Sequence, residues 1–217
     1  MAHLRFCAYQ YQHLPLKELR DRWRVVEDLG FDVLWNCNTV VEPDRKQHTM
    51  FDGPATLTMM AAATNRIRVG TLVTSLYFRH PVTLPRPPLT IAAHGPKMLR
   101  IAAEYGDAWS SWGGYDVETE EDFYAVTAER RHRFDDLCVD AGRDPSTIRH
   151  SLVCFPPLTP WQSVEYFRDM VGRFAEIGID EFVLYWPNTW RDAPSEQEVF
   201  EEVGGTVMAQ MRASGTA

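Results

Sequence analysis

Short apolar runs alternate with amphipathic stretches along nearly the whole chain of 217 residues. The apolar runs have the length and composition of buried strands and lie at residues 4–9, 31–35, 67–73, 89–93, 107–110, 148–155 and 181–186. Stretches with apolar residues three and four positions apart predict helices at residues 16–29, 52–63, 96–105, 118–141, 160–177 and 195–211. Because such alternation is typical of βαβ units around a parallel sheet, the pattern predicts one α/β domain over residues 1–217.

The alternation breaks once, between the third and fourth predicted strands. Residues 74–88 contain four prolines, which exclude a regular helix: Pro81, Pro85, Pro87 and Pro88. A parallel crossover normally uses a helix, and a complete (β/α) barrel has eight strands and about 250 residues. We therefore expect a shortened, TIM-barrel-like (β/α) barrel of about seven parallel strands, with one βα unit missing after the third.

Composition narrows the class of protein without giving a function. The chain is 45% hydrophobic and 24% charged, and no apolar run approaches the roughly 18 residues that cross a bilayer. The N-terminus lacks the apolar region of a signal peptide, so we expect a cytoplasmic protein without a membrane partner. A net charge of −8 argues against nucleic acid as a partner. The densest basic group, around Arg130, Arg131 and Arg133, is expected to be a solvated face of mixed charge.

The cysteines and histidines do not have the spacing of a metal site. Cys7, Cys37, Cys138 and Cys154 include no C-x-x-C pair, and the chain is not a small disulfide-rich one. We expect free thiols and no bound metal.

Two segments in the first third of the chain resemble luciferase-like monooxygenases. Residues 27–35 read E-D-L-G-F-D-V-L-W and resemble the family's E-x-L-G-F-D-x-x-W. Residues 61–73 read A-A-A-T-N-R-I-R-V-G-T-L-V and are similar to its A-A-x-T-x-R-I-R-x-G-T-x-V, and residues 79–82 fit the loop that follows.

The resemblance continues in the same order over nearly the whole chain. Residues 86–109 are similar to the family's R-P-P-I-x-I-x-G-x-G-P-x-x-L-x-x-A-A-x-Y-A-D-G-W, and residues 141–145 and 178–182 match later landmarks. The resemblance implies an eight-stranded barrel that binds FMN or the deazaflavin F420, in a family that includes shortened members. Ordinary members have a helix, an S-G-G-R turn and a fourth strand where Leu84 here runs into Pro85, which places a deletion near residues 84–86.

Barrel enzymes bind their ligands at the carboxyl ends of the strands, and one such end is suited to phosphate. Ala93, His94, Gly95 and Pro96 end a strand and open a helix, where free backbone N–H groups and the helix dipole favour an anion. The resemblance places the cofactor phosphate here. The alternative is an ordinary turn between a strand and a helix.

Three further residues are candidates for the cofactor site. The resemblance places Thr71 beside the flavin ring, although threonine is also a common strand residue. Trp109 is a candidate wall of the pocket, and Ser110 a candidate contact to the phosphate or the ring. The alternative for the tryptophan is core packing.

The candidate catalytic groups depart from the family's pattern. F420-using members often have Asp-His after the second strand, where this chain has Asn38 and Thr39. Neither side chain is an acid or base near neutral pH, which argues against hydride transfer of that type. If another histidine compensates, His80 or His48 is the candidate, whereas Cys37 is expected to be a buried, inert thiol.

The resemblance implies a flavin-dependent oxidoreductase of the monooxygenase type, with FMN (or F420) as cofactor and a small organic molecule as substrate. The alternatives are a flavin-binding protein without catalysis and an inactive, truncated barrel. Because one unit is missing, we expect one of two arrangements. Either the third and fourth strands pair and close a seven-stranded barrel, or a gap remains between these two strands, which we call the seam, and a second copy of the chain covers it. We expect a homodimer.

Overall fold

The computed structural model describes residues 3–38, 50–74, 88–189 and 195–214, and every predicted strand is found in these ranges. The strands are β1 (Arg5–Tyr9), β2 (Val33–Asn36), β3 (Arg68–Thr71), β4 (Thr90–Ala92), β5 (Ala108–Ser111), β6 (Arg149–Val153) and β7 (Glu181–Tyr185). The chain thus has the predicted α/β alternation, with each strand end within a few residues of its expected place.

The helices are also found where the sequence predicts them. They are α1 (Leu16–Asp28), α2 (Gly53–Ala63), α3 (Pro96–Tyr105), α4 (Glu120–Asp140), α5 (Val164–Glu176), α6 (Ser195–Glu202) and α7 (Met208–Ser214). A π-helical turn, Val203–Val207, divides the last predicted helix into α6 and α7. Gly204 lies in this turn, where a Cβ atom would come within 2.7 Å of the Leu29 side chain. None of the helices in the described ranges is long and apolar enough to cross a membrane.

All seven strands are parallel, in the order β3-β2-β1-β7-β6-β5-β4. They form an open half-barrel of the TIM-barrel type, because β3 and β4 lie at opposite ends of the sheet. Direct pairing of the third and fourth strands, one of the two predicted alternatives, is therefore wrong for the residues that the structure describes. A closed barrel requires a matched number, tilt and stagger of strands, and three-residue β4 offers little edge for a further ladder.

Alternate residues of each strand face two different apolar layers. Phe6 and Leu34 belong to the large core between the sheet and the helices, whereas Cys7, Tyr9 and Val33 face the concave interior. The paired strands share this alternation because partners in a parallel ladder point to the same face. The register therefore decides which predicted site residues reach the interior.

Glu27 in α1 joins the two segments that carry the first part of the resemblance. Its Oε1 atom accepts hydrogen bonds from the backbone N–H groups of Asn65, Arg66 and Ile67, at 2.8, 2.6 and 3.0 Å. These bonds favour the ionised carboxylate and hold the pKa of Glu27 below its ordinary value. The side chain fixes the turn that leads into β3, the edge of the open sheet.

Other residues of the resembling segments have similar structural roles. Asp32 accepts hydrogen bonds from the Phe6 backbone N–H at 2.8 Å and from Arg212 at 2.7 Å. Arg143 donates to the carbonyl oxygens of Ala103 and Gly106, at 2.8 and 2.9 Å, and so satisfies the last turn of α3. Several residues that carry the family resemblance thus stabilise the fold, because their side chains form hydrogen bonds with backbone groups of neighbouring elements.

Candidate active site

The loops after the strands form the mouth of the half-barrel, which comprises residues 10–12, 37–38, 72–74, 93–95, 112–114, 154–155 and 186–187. Within it, residues 93–98 form what we call the α3 cradle. Gly95 is the N-cap of α3, with φ −82° and ψ 158°, and no side chain caps the helix. Leu99 donates the first intrahelical hydrogen bond, to Gly95 O at 3.0 Å, so the N–H groups of Lys97 and Met98 precede the helical ladder.

The α3 cradle is open to an incoming group. Gly95 is exposed, and a Cβ atom there would meet no other atom within 4 Å. Pro96 occupies the first helical position, where its missing N–H costs nothing. The predicted residues Ala93, His94, Gly95 and Pro96 are therefore brought together as a helix start with room for an anion.

His94 is held in a neutral form beside the cradle. Its Nε2 atom accepts a hydrogen bond from the Trp112 backbone N–H at 3.2 Å, and the two rings lie 5.8 Å apart. Burial, together with the nearby Arg130 guanidinium, lowers the pKa of His94 to about 4. The imidazole therefore supplies a structural acceptor, rather than a positive charge, near neutral pH.

Arg130 supplies the positive charge that His94 lacks. From α4, its Nη1 atom donates to the carbonyl oxygens of Trp112 and Gly113, both at 2.9 Å. Burial lowers the pKa of Arg130, but a guanidinium starts so high that it stays charged. The expected solvated face is therefore wrong for this residue, because the half-buried side chain turns inwards to satisfy the β5 loop.

Trp109 supports the cradle from the helix side of the sheet. Its ring is fully buried and stacks on Phe134 with the centroids 5.1 Å apart, as the core-packing alternative describes. The indole N–H donates to Ala93 O at 2.9 Å. Trp109 thus fixes the backbone at the end of β4, and its ring does not face the mouth.

Ser110 and Thr71 lie on opposite faces of the sheet. Ser110 is buried and pairs with Ala92 and Ser151 on the interior face. Thr71 pairs with Asn36, whose side chain donates to Gly53 O at the start of α2, so Thr71 points towards the helices. If Thr71 contacts a ring in the mouth, it therefore does so through its backbone. After Thr71, the chain continues through a cis peptide bond between Leu72 and Val73.

Aromatic side chains line the interior below the mouth. The ring of Tyr9 makes edge contacts with Tyr11 at 5.0 Å and with Phe155 at 5.8 Å, and Phe155 lies 6.4 Å from Trp112. Trp35 covers Gly70 so closely that a Cβ atom at this position would overlap the indole ring. Since Trp35, Trp112 and Phe155 are only half-buried, they offer apolar ring surface to a planar ligand.

The predicted catalytic histidines, His80 and His48, lie outside the described residues, as does Thr39. Asn38 is described and buried, and its amide carries no titrating proton. Cys37 is buried and forms no disulfide, and its Sγ atom lies 3.5 Å from Met50 Sδ. Within the described part of the chain, no group of three or more His, Cys, Asp or Glu side chains is placed to hold a metal ion.

Two cavities of the half-barrel lie away from the cradle. One, of about 560 Å³, is at the amino ends of the strands and is lined by Arg5, Arg68 and Arg149 among others. The other, of about 500 Å³, lies beside the ends of β1 and β7. Neither cavity includes the α3 cradle, where Gly95 is exposed.

Solved structures with the same fold include cofactor-dependent oxidoreductases. A coenzyme F420-dependent tetrahydromethanopterin reductase from Methanopyrus kandleri matches with TM-score 0.71 and 12% identity, over 96% of this chain and 99% of that one. An F420-dependent secondary alcohol dehydrogenase, solved with an F420–acetone adduct, gives 0.67 and 14%, over 92% and 98%. A long-chain alkane monooxygenase gives 0.63 and 10%, over 100% and 92%. Identities this low show the fold alone.

The family itself is shown by the sequence. No curated protein matches the chain in sequence. The family model described as luciferase-like monooxygenase, however, matches residues 3–84 and residues 82–159. The two matched ranges of this chain overlap within the proline-rich stretch. The match covers most of the chain, and the seven-stranded, open half-barrel is consistent with a shortened member. The chain belongs to the luciferase-like monooxygenase family.

Proposed function

We propose that the chain is a flavin-dependent oxidoreductase of the luciferase-like type, with FMN, or alternatively F420, as cofactor and a small organic molecule as substrate. The observation that carries the proposal is the α3 cradle: an uncapped helix start with open space at Gly95 and the Arg130 guanidinium nearby. Helix starts of this kind bind phosphate through their free N–H groups and their dipole. The cofactor phosphate would bind there.

The residues of the mouth fit the remainder of such a cofactor. The half-buried rings of Trp112 and Phe155 provide apolar surface next to the cradle, on which a tricyclic ring would stack and lose contact with water. His94 and Trp109 hold the ends of β4 and β5 together, and so keep cradle and ring surface in one arrangement. The bound cofactor would supply the redox chemistry.

A second function, flavin binding without catalysis, is favoured by one specific observation. His94, which lies at the mouth, has a pKa of about 4 and uses its Nε2 atom to accept the Trp112 N–H. Asn38 stands where F420-using members often have an acidic residue followed by histidine, and it carries no titrating proton. Neither residue exchanges a proton near neutral pH, and the candidates that the sequence offers instead, His80 and His48, lie outside the described residues.

Cofactor titrations distinguish these functions. Purified protein is titrated with FMN, riboflavin and F420 while visible absorbance and flavin fluorescence are recorded, and oxygen consumption is then followed with reduced FMN. The proposal expects saturable binding of a phosphate-bearing cofactor and, where that cofactor is FMN, oxygen consumption that exceeds the rate of reduced FMN without protein. Binding without turnover supports the second function, and the absence of binding to all three molecules contradicts both.

We also propose that the chain forms a homodimer that covers the seam. The outer edges of β3 and β4 have no partner strand in the described sheet, and exposed apolar residues adjoin them: Val73 is 53% exposed and Leu89 is 49% exposed. Unpaired strand edges beside apolar surface favour association. Light scattering coupled to gel filtration is expected to give twice the chain mass of 24.9 kDa. A monodisperse monomer at micromolar concentration would contradict this proposal.

A further inference from the structure

The cavity at the amino ends of the strands, opposite the mouth, has the size of a small-molecule site. Its volume of about 560 Å³ lies within the range of about 300–1,000 Å³ that ligand pockets occupy. We call it the amino-end cavity. Its lining is rich in guanidinium groups, which belong to Arg5, Arg66, Arg68 and Arg149.

The strand register directs three of these arginines into the same space. Arg5 lies two residues before Cys7 in β1, and Cys7 faces the concave interior. Arg149 lies four residues before Val153 in β6, which faces the interior as well. Arg68 is paired with an interior-facing residue of β2. Because alternate residues of a strand share a face, the three side chains meet at the amino-terminal opening of the half-barrel.

Carboxylates neutralise two of these three guanidinium groups. Arg5 Nη1 lies 3.1 Å from Glu181 Oε2, and Arg149 Nη1 lies 3.4 Å from Asp180 Oδ2. Each of these ion pairs uses one nitrogen of a group that has five N–H donors. The Arg68 side chain makes no hydrogen bond or ion pair with any residue that the structure describes.

The three carboxylates of the lining are engaged with other groups. Glu27 accepts the backbone N–H groups of the turn before β3, and Asp32 Oδ2 accepts from Arg212 at 2.7 Å. Asp28 is 78% exposed and lies 3.8 Å from Arg66. None of the three carboxylates is therefore left to neutralise the remaining arginine.

No further acid belongs to the described lining. Its remaining ionisable residue is exposed His3, whose carbonyl oxygen accepts from Arg149 Nη1 at 3.4 Å. Residues 1–2, which precede it outside the described ranges, are methionine and alanine, so they add no carboxylate side chain. The cavity thus has a surplus of N–H donors and one guanidinium, Arg68, without a counter-charge among the described residues.

We propose that the amino-end cavity binds a small oxyanion, a phosphate or a carboxylate group, with Arg68 as its main ligand and Arg5 and Arg149 as further donors. A guanidinium presents its N–H groups as a planar fork that matches the oxygens of either group. A bound anion also offsets the repulsion among three cations that face one space. The site needs no flavin, so cofactor-free protein serves to test it.

Arginine side-chain signals measure this binding separately from binding at the α3 cradle. Two-dimensional ¹H–¹⁵N NMR spectra of the Nε–H groups are recorded while inorganic phosphate or, in a second series, succinate is added at constant ionic strength. We expect saturable shifts at Arg5, Arg68 and Arg149, and the anion that binds more tightly identifies the group that the cavity recognises. Gly95→Asp, which blocks the cradle, should leave these shifts unchanged, so the two sites are distinguished.

Substitution of Arg68 tests the same contact from the protein side. Arg68→Gln removes the charge and should weaken anion binding, followed at Arg5 Nε–H, at least about 10-fold, the usual effect of a hydrogen bond to a charged group. The side chain is exposed, so the fold should persist. Arg133→Gln is the control, because Arg133 is an exposed arginine of α4 that does not line the cavity, and its loss should leave the affinity unchanged.

Equal affinities of Arg68→Gln and the unmodified protein overturn the proposal. An equal loss of affinity in Arg133→Gln does so too, because it would show non-specific attraction to surface charge. If circular dichroism shows that Arg68→Gln does not fold, the three Nε–H signals of the unmodified protein decide alone: saturable shifts support the site, and the absence of such shifts with both anions contradicts it.

Discussion

Gly95→Asp is expected to remove FMN binding from this protein without destabilising it. An aspartate at the N-cap of α3 would accept the helix N–H groups itself and place a carboxylate in the open space of the cradle. Two negative charges about 4 Å apart repel each other by about 4 kcal/mol at the effective dielectric constant of a protein surface, roughly 20. The affinity for FMN should therefore fall at least about 100-fold. Fluorescence titration measures this loss, and thermal unfolding should show a stability that is equal or a few tenths of a kcal/mol higher.

Gly95→Ser is the matched control, because serine caps the same helix without a charge. It should weaken FMN binding less than about 10-fold, the contribution of one or two hydrogen bonds. Riboflavin, which lacks the phosphate, should bind all three proteins alike. Unchanged FMN affinity in Gly95→Asp would show that the phosphate does not bind at α3.

Glu27→Ala should lower the free energy of unfolding by about 3 kcal/mol, because three backbone N–H groups lose a charged acceptor at once. Glu27→Gln keeps an oxygen acceptor of the same shape and should cost about 1 kcal/mol. The pKa of Glu27 is lower in the folded protein than in the unfolded chain. The carboxylate therefore stabilises the fold fully above its unfolded pKa, and this stabilisation is lost as the pH falls through the folded pKa. Urea unfolding at pH 7 and at a series of lower pH values, down to about pH 3, measures both effects.

Asp28→Asn is the control for this series. Asp28 follows Glu27 in the chain, but its side chain is 78% exposed and lies 3.8 Å from Arg66. An exposed pair of this kind contributes little, and the change should stay within about 0.5 kcal/mol. Equal costs for Glu27→Ala and Asp28→Asn would mean that the turn before β3 does not depend on the buried carboxylate.

The fold could be predicted because its strands and helices each carry a local signal. The apolar runs at β6 and β7 and the spacing of Leu19, Trp23 and Val26 in α1 follow the two periodicities directly. The resembling segments add long-range information, and Glu27 and Arg143 show why. Each satisfies backbone groups of a segment about 40 residues away in the chain, so these residue types mark the fold rather than the chemistry.

The candidate site could be predicted only in part, because it depends on which face a side chain occupies. The start of α3 was predictable, since Gly95 and Pro96 are local signals of a helix N-terminus. Trp109 and Thr71 lie in strands as expected, but their side chains point to the helix side of the sheet. This orientation depends on the strand register, and a shift of one residue would reverse it. Arg130 was missed because its partners, Trp112 O and Gly113 O, are backbone atoms that leave no mark in the sequence.

The seam shows a further limit. Counting strands indicates that one βα unit is missing, but the count does not say whether the remaining strands close. The structure leaves β3 and β4 apart, and the half-buried Trp112 and Phe155 lie in the interior below the mouth. Whether a ligand can reach these two rings therefore depends on the arrangement of all seven strands, and no single segment of the sequence indicates it.

The account depends most on phosphate recognition by the start of α3, and backbone amide shifts measure this directly. In ¹H–¹⁵N spectra, FMN should move the resonances of Gly95, Lys97 and Met98, whereas riboflavin should leave them in place while it shifts the indole signal of Trp112. If FMN and riboflavin move the same resonances equally, or if FMN leaves the three amides unshifted at saturation, the cofactor phosphate binds elsewhere and the assignment of the site is wrong.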